Sequence, residues 1–194
     1  MSLWGATDSD ESKPKNLTTA EKKQVFANSS GWVLEAGSSL SGNDNTSATP
    51  EVLVAIGELT TSIGAADITE IEWITTTADK SAGFSLSVRA RFYEAVDVDT
   101  SGGTPYLAVT NGNQGSGSGR GPYTCVYTAT GSTANRKRFI LASQTIAEDD
   151  VLTLGGANIQ LASGTISDTV RGGTAQAASL VLSGLTAVTH TVLA

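Results

Sequence analysis

Apolar and polar residues alternate along FSLSVRARFY (84–93), so that Phe84, Leu86, Val88, Ala90 and Phe92 fall on one face and Ser85, Ser87, Arg89 and Arg91 on the other. A period of two with one apolar face predicts a half-buried antiparallel strand. Similar runs occur at ITEIEWITT (68–76), TPYLAVTN (104–111), PYTCVYTA (122–129), KRFILAS (137–143), DVLTLGG (150–156), NIQLAS (158–163) and AASLVLSG (177–184), each bounded by Gly, Asn, Asp or Pro. Seven or eight short strands separated by turns predict an all-β antiparallel β-sandwich over residues 67–194.

Residues 1–66 follow no sustained period. WGATDSDESKPKNL is polar and broken by proline, and GSSLSGNDNTSATP (37–50) has linker composition. Thr18 followed by Glu21 forms a capping box ahead of AEKKQVF, which predicts one short helix at about 19–27. The rest is expected to be an extended N-terminal arm. Its apolar residues, Trp4, Pro14, Leu17, Phe26, Trp32, Val33 and the EVLVAIGEL run with Val52, Leu53 and Val54, are spread through polar sequence and are expected to anchor the arm to a partner.

Composition narrows the function. The formal charge of −7 divides into −4 for residues 1–66 (8 acidic, 4 basic) and −3 for residues 67–194 (11 acidic, 8 basic). Neither part has the basic excess that neutralising phosphates requires, so no nucleic-acid partner is expected. No apolar run approaches a membrane span, and MSLWGATDSDESKPK lacks the layout of a secretory leader. Cys125 is the only cysteine and sits in the alternating YTCVYTA, where it reads as a buried small hydrophobe. The loop at 110–122 carries five glycines within residues 112–121 and reads as a mobile hairpin connection.

Catalytic and cofactor chemistry finds little support. A Ser/His/Asp triad would need His190, the only histidine, which lies in an alternating C-terminal stretch and reads as a surface or edge-strand residue. One Cys and one His cannot make a zinc set. GSGSGRG (115–121) lacks the Lys-Ser/Thr of a phosphate loop. Asp97 and Asp99, with Glu94 nearby, are weak Ca²⁺ candidates, and a solvated strand end is the preferred reading. The acidic run Glu148–Asp150 and the basic run Arg136–Arg138 read as charges that keep strand edges soluble. Asn16, Asn28 and Asn45 open N-x-S/T triplets but are assigned no function. The expectation is a protein with no enzymatic activity and no cofactor.

Two resemblances add to this reading. VRARFYEAVDVDTSGGTPYLAVTNG, YTCVYTATG, AEDDVLTLGGANIQLASGTISD and AASLVLSG occur in the order seen in bacterial immunoglobulin-like adhesive repeats, with Phe92, Glu94, Val96, Gly103, Thr104, Pro105, Leu107, Gly164, Thr165, Ile166 and Asp168 on the motif positions. SLWGATDSDESKPKNL, GWV (31–33) and PEVLVAIGELT (50–60) resemble the N-terminal part of virion structural proteins of marine tailed phages, especially those infecting cyanobacteria. Together they imply an immunoglobulin-like sandwich carried by an arm on a virion. The implied role is a capsid decoration or cement protein whose partners are the shell protein, neighbouring copies and host surface glycans. A neck, tail or fibre component and a carbohydrate-binding adhesin module are the alternatives.

Overall fold

The computed structural model describes residues 13–14, 16–61, 63–75, 77–79, 85–112, 120–142, 146–155, 157–169 and 175–193. Among the described residues the chain is all-β apart from one short helix and a 3₁₀ turn. The elements are α1 (Thr19–Lys22), β1 (Val25–Asn28), β2 (Gly31–Leu34), β3 (Glu51–Ala55), the 3₁₀ turn (Leu59–Thr61), β4 (Ile68–Trp73), β5 (Ser85–Phe92), β6 (Val96–Asp99), β7 (Tyr106–Gly112), β8 (Tyr123–Thr128), β9 (Arg136–Ala142), β10 (Val151–Leu154), β11 (Thr165–Asp168) and β12 (Val188–Thr191). They belong to two compact units. The first comprises the segment ending at Asp67 with Phe92–Asp97 and Ser167–Ser179, and the second Ile68–Arg91, Val98–Ile166 and the segment starting at Leu180.

Within the first unit, residues 16–61 are folded and not extended as expected. Thr18 caps α1 through both halves of the capping box: Thr18 N–H donates to Glu21 Oε2 at 2.7 Å and Glu21 N–H to Thr18 Oγ1 at 3.3 Å. The helix stops at Lys22, short of the expected Ala27, because Val25–Asn28 pairs antiparallel with β2. Val25, Ala27, Trp32 and Leu34 fill one face of that pair with Leu59, and Phe26 and Val33 fill the other with Ala95. A strand pair buried on both faces reads as a continuous apolar run, so period-two alternation does not reveal it. Gly31, at φ 128°, is required where β2 begins, since a Cβ there would lie 2.1 Å from the Val54 carbonyl oxygen. Residues 93–95 stitch the unit together. Ala27 N–H donates to Tyr93 O at 3.0 Å, Tyr93 N–H to Asp67 O at 2.8 Å, Ala95 N–H to Ala27 O at 2.9 Å and Thr169 N–H to Ala95 O at 3.2 Å.

The second unit is built on one seven-stranded sheet in the order β12-β10-β7-β8-β9-β5-β4. Its inner face carries Leu86, Val88, Ala90, Leu107, Val109, Cys125, Phe139, Leu152 and Leu154, all buried. The sheet nearly closes on itself, because Trp73 on edge strand β4 donates its indole N–H to Val188 O on the opposite edge strand β12 at 3.3 Å. β6 and β11 form a separate two-stranded sheet.

Two expected strands are absent. NIQLAS meets β7 only through reciprocal Tyr106–Gln160 backbone bonds of 2.8 Å. Ala162 and Ser163, at φ 49° and 71°, end any extended run there. This turn brings backbones too close for a side chain, since a Cβ on Gly103 would lie 1.7 Å from Ala162 O. In AASLVLSG only Ala177 and Ser179 form isolated bridges, while Leu182 is buried with its N–H held by Asn158 Oδ1 at 3.0 Å. β1, β2, β6 and β11 are four-residue strands that the alternation did not single out, whereas β12 falls in the alternating stretch around His190 and lies at the sheet edge, as expected.

Candidate functional site

The most distinctive exposed feature is β3. Its sequence, Glu-Val-Leu-Val-Ala, has four apolar residues of five, yet it occupies the edge of the β1-β2-β3 sheet. The register explains why they are not buried. Trp32 pairs with Val54 but Val33 pairs with Val52, so Leu53 is the extra residue of a β-bulge. Val54 therefore packs against the Trp32 cluster, while Val52 is 48% and Leu53 37% exposed. Bulges at edges re-aim side chains, and an apolar edge left uncovered marks a place where another surface can bind.

The other expected anchors lie elsewhere. Trp4 is outside the described residues. Pro14 is buried, and Leu17 packs on the Trp32 cluster. Phe26, Trp32 and Val33 are core residues of the first unit, with at most 2% exposure. Trp32 meets the ring of Tyr93 edge-on at 5.1 Å, and Lys13 Nζ lies 5.1 Å above the same Tyr93 ring. Among the described anchors only Val52 and Leu53 present large apolar surface to solvent.

The acidic residues around 94–99 separate by environment. Asp97 is exposed, and Asp99 caps the following turn by accepting from Ser101 N–H at 2.8 Å and Ser101 Oγ at 3.0 Å. Those bonds hold its carboxyl below the usual range. Among the described residues no three His, Cys, Asp or Glu side chains are arranged to hold a metal ion. Glu94 is fully buried, with neither carboxyl oxygen hydrogen-bonded. Burial, and then the neighbouring Asp168 and Asp67, push its pKa up to about 8, which favours the protonated, neutral form. The sequence marked Glu94 as a motif residue but gave no sign of this burial.

Charges expected to guard strand edges have other roles. β9 and β10 are interior strands of the seven-stranded sheet. Asp150, just before β10, is buried and accepts from Arg120 Nε at 3.0 Å, from Arg120 Nη2 and from Ala147 N–H at 2.9 Å. This pair ties the end of the glycine-rich loop to the start of β10. The bond from Arg120 depresses the Asp150 pKa. The pair's stabilisation is therefore present above the ordinary carboxylate range and lost as pH falls through the lowered value. Asp150→Asn is expected to lower the thermal midpoint at pH 7, with the gap to wild type closing in acid. A gap that persists unchanged at pH 3 would show that the ion pair is not its source.

Cys125 is buried, and burial pushes its thiol up to about 12. His190 lies on edge strand β12 with its ring 5.7 Å from that of Trp73. Two of the N-x-S/T triplets form side-chain turns, with Asn28 Oδ1 accepting from Ser30 N–H at 2.8 Å and Asn45 Oδ1 from Ser47 N–H at 3.0 Å. No helix among the described residues is long and apolar enough to cross a membrane.

No family model, curated protein or solved structure matches the chain. The functional reading therefore stands on the exposed β3 edge and on the motif residues. Of the latter, Phe92, Glu94, Val96, Leu107, Ile166 and Asp168 are all buried.

Proposed function

We propose that this chain is a non-enzymatic phage virion structural protein, a capsid decoration protein that attaches to the shell through its N-terminal part and projects an immunoglobulin-like β-sandwich outward. The observation that carries the reading is the bulged β3 edge, where Val52 and Leu53 are exposed beside a well-filled core. The N-terminal resemblance to phage virion proteins includes this strand, in PEVLVAIGELT. The sandwich reading is supported by the motif order and by the burial of its apolar positions.

An edge strand can join a neighbouring sheet through backbone hydrogen bonds, with its exposed side chains entering pockets on the partner. Many identical copies on a repetitive shell would convert a small contact into stable attachment. Val52→Lys with Leu53→Lys is expected to abolish co-sedimentation with capsids while leaving the thermal midpoint near wild type, because both side chains are already solvated. Unchanged attachment, with hundreds of wild-type copies per particle, would overturn the assignment of β3 as the attachment strand. A dozen or fewer copies per particle would move the protein to the neck or tail.

A further inference from the structure

The outer face of the seven-stranded sheet carries an arrangement of arginines that sheet pairing alone disfavours. β5 and β9 are antiparallel in a register that sets Arg89 directly opposite Arg138 and Arg91 opposite Arg136. Like charges at directly opposed positions repel. Edge strand β4 relieves part of this, with Glu72 Oε1 2.8 Å from Arg89 Nε and Glu70 Oε2 2.6 Å from Arg91 Nη1. The Arg138 guanidinium meets no carboxylate among the described residues and donates from Nε to Ser87 Oγ at 2.8 Å. Among the described residues Arg138 therefore adds a positive charge that no carboxylate meets, in a chain whose net charge is −7.

Next to the arginines the face changes character. The register continues through Val126 opposite Ile140, and Tyr106 opposite Val126, with Thr124 and Thr110 on the same side. Val126 is 41% exposed and Thr124 is also exposed. The surface thus offers guanidinium groups at one end, and hydroxyls beside an aliphatic and an aromatic side chain at the other.

We propose that this face binds a carboxylated polysaccharide. Planar guanidinium groups match carboxylate oxygens in a fork geometry. Threonine hydroxyls both donate and accept towards sugar hydroxyls, and Val126 and Tyr106 offer apolar surface to the C–H faces of a sugar ring. An acidic peptide fits less well, because β5, β9, β8 and β7 are interior strands whose backbone groups are already paired and cannot accept an added strand. A nucleic acid also fits less well, since it needs a longer cationic track than this patch supplies and meets a net-negative protein.

The proposal concerns the second unit alone and does not depend on the virion reading. Its test is titration of the full chain with polygalacturonate in low salt, with neutral dextran and a single-stranded oligodeoxynucleotide in parallel. Polygalacturonate is expected to bind, more weakly as salt is raised, and Arg136→Ser with Arg138→Ser to reduce affinity by about tenfold or more at an unchanged thermal midpoint. Should that double variant unfold, Val126→Glu reads the same face from an already exposed position and is expected to cause a comparable loss. No binding of polygalacturonate, equal binding of dextran, tighter binding of the oligonucleotide, or affinity untouched by the folded variants would each overturn the proposal. The Val52→Lys, Leu53→Lys protein is expected to keep this binding, which separates failure here from failure of shell attachment.

Discussion

Thermal stability is expected to fall as pH rises from about 5 towards 8, and Glu94→Gln to remove most of that fall. Glu94 is buried among chain segments that meet at residues 93–95, with both carboxyl oxygens unpartnered, and its pKa is raised from 4.5 to about 8. Between those values the folded state holds a proton that the unfolded chain has released, so stability is fully present below 4.5 and is lost as pH rises through about 8. One group contributes at most about 1.4 kcal/mol per pH unit over that window. Asp168 and Asp67 both oppose ionisation, and burial opposes it more strongly. Cys125 acts in a different window, since its thiol is raised to about 12 and affects stability only above 9. Melting curves at pH 5, 7 and 9 provide the measurement. The glutamine variant should melt close to wild type at pH 5 and above it at pH 9. Parallel pH profiles for the two proteins would sink this assignment.

Trp32→Ala is expected to unfold the first unit at temperatures where wild type is intact, with a cost of about 3–5 kcal/mol. Trp32 is fully buried, packs edge-on against Tyr93 and sits among Val25, Ala27, Leu34 and Leu59. Removing the indole leaves a cavity that the short strands β1 and β2 have few other large side chains to fill. The alternative, in which Trp32 is a surface anchor, makes the opposite prediction: normal melting with failed attachment. Near-ultraviolet circular dichroism during heating distinguishes them, and a variant with wild-type tertiary signal and midpoint would restore the anchor role. Because the chain forms two compact units, the melt is to be read for two transitions before any single free energy is assigned.

The alternation in FSLSVRARFY was informative because that segment has one wet face, whereas NIQLAS and AASLVLSG alternate without forming strands. Leu86, Val88, Ala90 and Phe92 are buried on β5, while Arg89 and Arg91 reach the other side, as period two requires. The capping box of Thr18 and Glu21 was equally legible, since its hydrogen bonds are local. Helix length was not: VFA followed a good helix start, but pairing with Trp32 and Val33 converted it to strand. Local propensity is worth tenths of a kcal/mol per residue, and burying Val25, Phe26 and Ala27 outweighs it.

The candidate site divides along the same line. EVLVA stood out as an apolar run, and only the bulge at Leu53 decided that Val52 and Leu53 would be exposed while Val54 is packed. The runs Arg136–Arg138 and Glu148–Asp150 were visible as charge, but their use depends on strand order, which places β9 and β10 inside the sheet. By itself, then, the sequence determined the all-β class, the faces of its alternating strands and the start of its helix, because these depend on neighbours within a few residues. Tertiary structure alone decided that Trp32 is core, that Glu94 is buried without a hydrogen-bond partner and that four arginines share one face. Each of those depends on residues far along the chain, whose approach is set by sheet order and register.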